Sequence, residues 1–395
     1  MRVTRRGFMG QTAAAVLAAQ TLAKAQTDPA AAPKLRACVI GDGKQGVYGH
    51  SMHLAFATRD DVEVAGLADP VEETRAKAAA SSKAQRTYAD YREMLEKEKP
   101  DLVVVGPRWT IHHKEYLLAA AAVGAHGFME KPVSHDLAEA DDMVRAIEEK
   151  NLKWAVAYNF RASAQLAHAR RMIMEEGIIG DVLEIRGRGK EDERAGGEDL
   201  IVLGTHSFDA MRYFLGNPLW CESDITVEGR AATKADVHEA TEPVGPIMGD
   251  RIRAMFGFPN SIAGYFSTTK NTHGYGGRWG LDIMGSRGMV TIRINGGINI
   301  WLLRDPAWAP GGRDKVWEPL PDMPVFEEKR PEIERNAPIV SDLIAAIKEN
   351  RLPKVSLQDG RDSTEMIHAV YEAYLHGGRV AFPMKDRTHP LTRPA

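Results

Sequence analysis

The sequence predicts two joined architectures. The N-terminal half reads as α/β with a parallel sheet. The C-terminal half reads as α+β with a large open, mainly antiparallel sheet. Three observations carry this. The apolar run Leu35 to Ile40 ends in G-x-G-x-x-G at Gly41, Gly43 and Gly46. Apolar runs and helical patterns then alternate as far as Tyr158. Beyond Asp181, strand patterns follow one another with few helices between them, as hairpin-linked sheets do.

The 395 residues are enough for two domains with cores of their own. Hydrophobic residues make up 44% and charged residues 27%, which is ordinary for a globular protein. Net charge is −3, and no basic stripe suggests a nucleic-acid surface. Arg2, Arg5, Arg6 and Lys24 gather at the N-terminus, with no acid among residues 1–25. Thr4-Arg5-Arg6-Gly7-Phe8-Met9 looks like a twin-arginine signature. An alanine-rich run and the cleavage pattern Ala23-Lys24-Ala25 follow it. This predicts an export signal over 1–25, handling by the twin-arginine translocase and a periplasmic address. The run is too short and too weakly apolar for a permanent span. Residues 26–33 read as a flexible lead. Cys38 and Cys221 are the only cysteines, and no disulfide or metal site is expected from them.

The glycines after the first strand each have a mechanical job. Gly41 leaves the strand in a tight turn, Gly43 admits a pyrophosphate close to the backbone, and Gly46 lets a helix sit near the strand. Lys44 and Gln45 lie inside the turn and belong to the same site. A helix is expected from Val47 to Thr58, its N-terminus facing phosphate charge. Val62 to Ala68 is the second strand. It ends at Asp69, where a carboxylate accepts from ribose hydroxyls and repels a 2′-phosphate. That favours NAD; Arg75 nearby keeps NADP open.

Helices are expected over 71–80 and from Tyr88 to Glu98. Asp101 to Val105 is a continuous apolar strand of the parallel kind. It leads into Pro107, Arg108 and Trp109 at the carboxyl edge, where doubly wound folds bind ligands. His112 and His113 open a helix that runs to Ala122. A short strand, Gly124 to Met129, ends at Glu130-Lys131-Pro132. The helix Leu137 to Glu149 and the strand Trp154 to Tyr158 complete a Rossmann domain over 34–155.

Residues 156–385 form the second domain. Ala164 to Glu176 reads as a helix closed by Gly177, Asp181 to Gly189 as a strand, and Glu198 to Phe214 as one helix. Strands are expected at Ile225 to Ala231, Arg251 to Phe258, Ser261 to Thr268, Trp279 to Met284, Gly288 to Ile294 and Gly297 to Leu303. Residues 305–335 read as a surface arm. Ala337 to Asn350 and Asp359 to Leu375 are closing helices. The run Glu191-Asp192-Glu193 could bond hydroxyls, but such runs are more often solvated. His273, Tyr275 and Arg278 could reach a cleft or a subunit interface.

At Glu130-Lys131-Pro132 the chain comes to resemble the glucose–fructose oxidoreductase and inositol dehydrogenase family (Gfo/Idh/MocA). The likeness also rests on the glycine turn, Asn159-Phe160-Arg161, Gly204-Thr205-His206-Ser207-Phe208-Asp209 and Asp359-Gly360-Arg361. It implies a cleft between domains, with a nicotinamide at its floor and a polyol above. It implies Lys131 and His206 as catalytic residues, and a peptide bond before Pro132 that is often cis. The cofactor-binding set is then Gly41, Gly43, Lys44, Gln45, Gly46, Asp69, Pro107, Arg108, Trp109, His113, Glu130 and Lys131. The substrate set is Asn159, Arg161, Lys190, Asp199 and Thr205. Relatives usually carry an aspartate four residues before the histidine. Here that position is Val202, with Asp199 and Asp209 as substitutes and Asp199 preferred. Oligomers built on the second sheet are also implied.

Three functions compete at this point. One is NAD-dependent oxidation of a CH–OH group in a sugar, glycoside or cyclitol. Another is redox-neutral glycoside cleavage through transient oxidation. The third is a dinucleotide- and sugar-binding protein without chemistry.

Overall fold

The near-continuous apolar strands of the first half need cover on both faces, and the fold supplies it. The computed structural model describes residues 33–270, 277–294, 297–312, 314–324 and 332–394. The leader at 1–25, nearly all of the 26–33 lead, His273 and Tyr275 lie outside the described residues. The chain divides after Lys34, and the unit Leu35–Ala395 holds everything below.

The first sheet comprises β1 (Leu35–Ile40), β2 (Val62–Ala68), β3 (Arg86–Tyr88), β4 (Leu102–Val105), β5 (His126–Met129) and β6 (Trp154–Val156). All pairs are parallel, in the order β3-β2-β1-β4-β5-β6. The helices between them are α1 (Glu72–Ser82), α2 (Tyr91–Glu98), α3 (His113–Ala122) and α4 (Leu137–Glu149). Asp90 and Asp136 cap α2 and α4 by accepting from Arg92 N and Glu139 N. Tyr88 was expected to open a helix. It ends β3 instead, because Gly66, Leu67 and Ala68 of β2 supply a pairing edge.

A second correction concerns the glycine turn. No α-helix spans Val47 to Thr58; there are turns and one 3₁₀ turn at Met52–Leu54. Val47, Gly49 and Ser51 all take positive φ, which breaks a helical path. The stretch still buries Tyr48, Met52, Ala55 and Phe56 in the core on that face, and a later helix adds to it. α8 (Glu332–Glu349) packs on β5, β6 and the 3₁₀ turn, and brings Ile339, Val340, Leu343 and Ile344 into the cluster that holds Val39, Val64, Leu102 and Phe128.

The second domain begins with α5 (Ala164–Arg170), which runs into a π turn at Arg171–Glu175 before Gly177. β7 (Val182–Arg188) is followed by α6 (Gly197–Val202) and α7 (Gly204–Leu215). These were expected as one helix. They are broken at Leu203, at φ −116° and ψ −32°. The large sheet adds β8 (Trp220–Val227), β9 (Arg230–Ala231), β12 (Arg251–Gly257), β13 (Ala263–Thr269), β14 (Gly280–Gly285), β15 (Gly288–Ile294), β16 (Ile298–Leu303), β17 (Glu318–Pro319) and β18 (Val380–Ala381). A separate pair is β10 (His238–Glu239) with β11 (Pro246–Ile247). The main order is β17-β16-β15-β14-β7-β13-β12-β8-β18. Only β7 with β13 is parallel, so the sheet is mainly antiparallel as expected. Part of the expected arm, at Glu318–Pro319, joins this sheet.

α9 (Leu357–His376) opens with a capping box between Ser356 and Asp359 and ends at Gly377, φ 72°. It packs against α4 of the first domain and against α7 and β8 of the second. Cys38 and Cys221 are buried in separate cores. No helix among the described residues is long and apolar enough to cross a membrane.

Candidate functional site

β5 ends in Glu130-Lys131-Pro132, with the Lys131–Pro132 bond cis. α7 brings His206 from the other domain. Lys131, His206, Asn159, His50 and Trp279 line one cavity of about 550 Å³. Ile294, Ile298, Pro324 and Pro338 give it an apolar outer wall.

Lys131 is almost fully buried, and its Nζ donates to the carbonyl of Val202 at 3.1 Å. Burial pulls its pKa below the usual lysine range, with Glu130 opposing the shift. Burial first, then the charges of Lys131 and His50, hold His206 well below the ordinary histidine value. Its ring is therefore neutral. Among the described residues, Nδ1 of His206, Oδ1 of Asn159, Oε2 of Glu130 and Nε1 of Trp279 are buried without a hydrogen-bond partner. A cavity lined by unpaired donors and acceptors suits a hydroxyl-rich ligand.

The other expected substrate residues lie elsewhere. The break at Leu203 sends Asp199 away from His206. Its carboxylate accepts from the N–H groups of Lys190 and Glu191 at 3.2 Å and from Thr268 Oγ1 at 2.5 Å. Thr205 is fully buried, its hydroxyl 2.7 Å from Tyr158 OH. Arg161 pairs with Asp209 at 2.7 Å and Asp359 at 2.9 Å, so Asp209 does not serve His206 either. Lys190 pairs with Asp192 at 3.2 Å. Glu191 and Asp192 are buried and held by Arg188, Arg278 and Arg194, not solvated. These acids stabilise the loop by closing on nearby arginines, which leaves them nothing to offer a polyol.

The nucleotide side is mixed. A Cβ on Gly43 would come within 2.6 Å of Thr74 Oγ1 and 2.8 Å of Val71, so only glycine fits. Gly46 has φ +80° and sits against Arg108 and Trp109. The turn, however, spends its N–H groups internally. Gly43 donates to Asp69 at 3.0 Å, Lys44 to the Asp42 carboxylate at 2.8 Å, and Gln45 to the Asp42 carbonyl at 2.9 Å. Tyr48 packs over Gly41. With no helix after Gly46, the expected dipole end is missing; what remains is a glycine-shaped cradle and the acid at the end of β2. Asp69 is wholly buried and also accepts from Val71 N and Thr74 Oγ1. Arg75 donates to the Asp69 carbonyl at 2.7 Å. A recess of about 210 Å³ opens here beside Gly41, Asp42, Asp69, Asp90 and Tyr91.

Pro107 and His113 act together: the ring of His113 lies between the Pro107 and Val133 carbonyls at 2.8 and 3.0 Å. His113 is thus a buried brace for the loop and cannot reach a cofactor. Arg108 reaches Glu242 at 2.6 Å, and Trp109 N donates to the Gln45 carbonyl at 3.3 Å. Glu130 is fully buried, with Oε1 2.6 Å from His50 Nδ1. His50 was not read from the sequence, because the helix expected there gave its side chain no direction. His135, His368 and His389 also gather, but no group of three or more ligating residues among those described could hold a metal.

Known families match this arrangement. Residues 35–158 match the model of an oxidoreductase family with an NAD-binding Rossmann fold, and residues 172–382 match its C-terminal alpha/beta domain. The chain belongs to the Gfo/Idh/MocA oxidoreductase family. Its cofactor is NAD, held by the Rossmann domain. Among curated relatives, levoglucosan dehydrogenase of Pseudarthrobacter phenanthrenivorans is 28% identical over 57% of this chain and 64% of its own length. Myo-inositol 2-dehydrogenase of Thermotoga maritima is 24% identical over 65% of this chain and 74% of its own. Less than two thirds of the first of these is spanned. Among solved structures, levoglucosan dehydrogenase in complex with NADH and levoglucosan superposes at TM-score 0.69 and 21% identity, over 89% of this chain and all of that one. An oxidoreductase domain protein from Kribbella flavida reaches TM-score 0.70 at 21% identity, over 89% of this chain and all of that one. At these identities the structural likeness speaks for the fold.

Proposed function

We propose that this protein is an NAD-dependent oxidoreductase acting on a CH–OH group of a sugar, glycoside or cyclitol. The observation that carries the reading is that Lys131 and His206, from different domains, line one cavity beside unpaired polar atoms. The bound nicotinamide supplies the acceptor for the carbinol hydrogen and its electron pair. Lys131, steadied by the Val202 carbonyl, donates to the carbinol oxygen and stabilises its developing negative charge. Neutral His206 accepts a hydrogen bond from the hydroxyl and helps aim it. The named activities of the sugar and cyclitol dehydrogenases among the relatives support this reading.

The test is to purify the protein, release its nucleotide, and follow reduced-nicotinamide absorbance with a panel of carbohydrates. Lys131→Met should lose about 10²-fold or more in kcat. Unchanged turnover in that variant would remove the reading.

A second reading is favoured by one observation: among the described residues, no carboxylate pairs with His206. In it, oxidation is transient, the neighbouring C–H is acidified, and a glycosidic bond is eliminated with no net redox change. A glycosyl hydrolase family 109 protein of Akkermansia muciniphila, 29% identical over 42% of this chain and 37% of its own length, supports it. Release of an aryl leaving group without an added electron acceptor would separate the two.

We also read Thr4 to Ala25 as a twin-arginine leader, so that the folded, cofactor-loaded chain is exported to the periplasm. Replacing Arg5 and Arg6 by Lys should leave the protein in the cytoplasmic fraction. Assembly into dimers or tetramers through the large sheet is part of the same reading, checked by the mass in solution.

A further inference from the structure

This inference rests on the dehydrogenase reading above. Oxidising a carbinol requires a group that takes the hydroxyl proton away. Among the described residues, two imidazoles line the cavity, His206 and His50.

His206 is poorly equipped to hold a proton. Its Nδ1 is buried with no hydrogen-bond partner among the described residues. Its candidate acids are occupied: Asp199 by Lys190, Glu191 and Thr268, and Asp209 by Arg161. Its other neighbours are the edges of Tyr158 and Trp279, at ring-centroid distances of 5.6 and 6.2 Å. Among the described residues, no carboxylate pairs with the ring to orient it or balance a positive charge.

His50 differs on each count. Its Nδ1 lies 2.6 Å from Oε1 of Glu130, a carboxylate with no solvent exposure. Asn336 of α8 donates to the His50 carbonyl at 3.3 Å, which fixes the backbone beneath the ring. Since Nδ1 is taken by the carboxylate, the nitrogen left for a cavity ligand is Nε2. A buried carboxylate behind an imidazole sets the tautomer and stabilises the imidazolium that forms. Gly49 is part of the same device. A Cβ there would sit 2.9 Å from Glu130 Cγ and 3.0 Å from the Gly106 carbonyl, so glycine lets the turn bring His50 to Glu130.

We propose that His50, backed by Glu130, is the base that takes the substrate's hydroxyl proton, with His206 as a neutral hydrogen-bonding wall. The O–H bond breaks and its proton passes to Nε2 of His50. The C=O bond forms from that oxygen pair. The carbinol hydrogen leaves with its two electrons to the oxidised nicotinamide. Glu130 is a positioning residue, and Lys131 steadies the oxygen throughout. The position four residues before His206 carries Val202, and the carboxylate that backs an imidazole here is Glu130, behind His50.

The charged and titratable groups around His50 are Glu130 and Lys131 after β5, His206 on α7, and Glu334 and Arg335 on α8, all bordering the cavity or bonded to His50. The experiment compares His50→Gln, His50→Ala, Glu130→Gln and His206→Gln in the NAD-loaded protein, over pH, on the carbohydrate that the wild type oxidises. His50→Gln should lower kcat by about 10²–10⁴-fold, hold KM and NADH affinity within about threefold, and abolish the acid limb of kcat/KM. Added imidazole should restore part of the His50→Ala rate. Glu130→Gln should move the acid limb to lower pH, because the imidazolium loses its counter-charge. His206→Gln should slow turnover and keep the limb. Should a His50 variant fold badly, seen as lost NADH binding, the Glu130→Gln shift decides. The proposal is overturned if His50→Gln turns over within about threefold of wild type, or if the limb vanishes in His206→Gln instead. Wild-type protein that oxidises no carbohydrate overturns the dehydrogenase reading itself, and this assignment with it.

Discussion

Asp69 offers a test in which two roles of one carboxylate come apart. It is fully buried at the end of β2, where it accepts from Gly43 N, Val71 N and Thr74 Oγ1 at 3.0, 2.8 and 2.8 Å. Asp69→Ala leaves two backbone N–H groups without acceptors. At about 1–3 kcal/mol for each buried unsatisfied group, the loss is about 2–6 kcal/mol. Asp69→Asn keeps an oxygen for both N–H groups, and its amide can donate to the Thr74 hydroxyl. Stability should then stay within about 1 kcal/mol of wild type. The electrostatic role is different. A carboxylate about 4 Å from a 2′-phosphate repels each unit of its charge by about 1–4 kcal/mol, between bulk-water and near-surface screening. Removing that charge in Asp69→Asn should raise NADP affinity relative to NAD by about 5-fold to 10³-fold. Thermal unfolding measures the first effect; fluorescence titration with NADH and NADPH measures the second. If Asp69→Asn keeps wild-type discrimination, Asp69 is only a clamp for the glycine turn and the ribose assignment is wrong.

Other outcomes follow from the packing and the charges. Gly127→Ala would place a Cβ 2.5 Å from the Trp154 ring, and calorimetry should show a loss of about 1–3 kcal/mol or more. Glu98 is held down to about 2, first by hydrogen bonding from Arg86 and then by Tyr88 and Arg36. A depressed acid stabilises the fold above its unfolded value and loses that stabilisation as pH falls through the folded one. Denaturant midpoints should therefore drop between about pH 4.5 and 2, by about 1–2 kcal/mol once the exposure of Arg36 and Arg86 is allowed for. Glu98→Gln should flatten that dependence. Lys131 is pulled down by burial, so the alkaline limb of kcat should lie below the usual lysine range. Lys131→Arg cannot lose its proton and should remove the limb while lowering the rate.

The sequence by itself determined the alternating half, the glycine turn and the acid after β2, while Lys131 and His206 came from its resemblance to a known family. These signals are local: periodicity, a turn that only glycine makes, and residue types fixed by chemistry. It also determined most strands of the second sheet, because alternation in β12, β13 and β15 reports a half-covered face directly. Tertiary structure decided the rest. The stretch after Gly46 leaves the helical path at Val47, Gly49 and Ser51, and it packs beside α8, which arrives from almost 300 residues later in the chain. Whether Asp199 could serve His206 depended on one break at Leu203, which no periodicity announces. The pairing of His50 with Glu130 joins residues 80 apart. Local preference sets which elements can form; competition among distant side chains for the same buried surface and the same donors sets where each carboxylate and imidazole ends up.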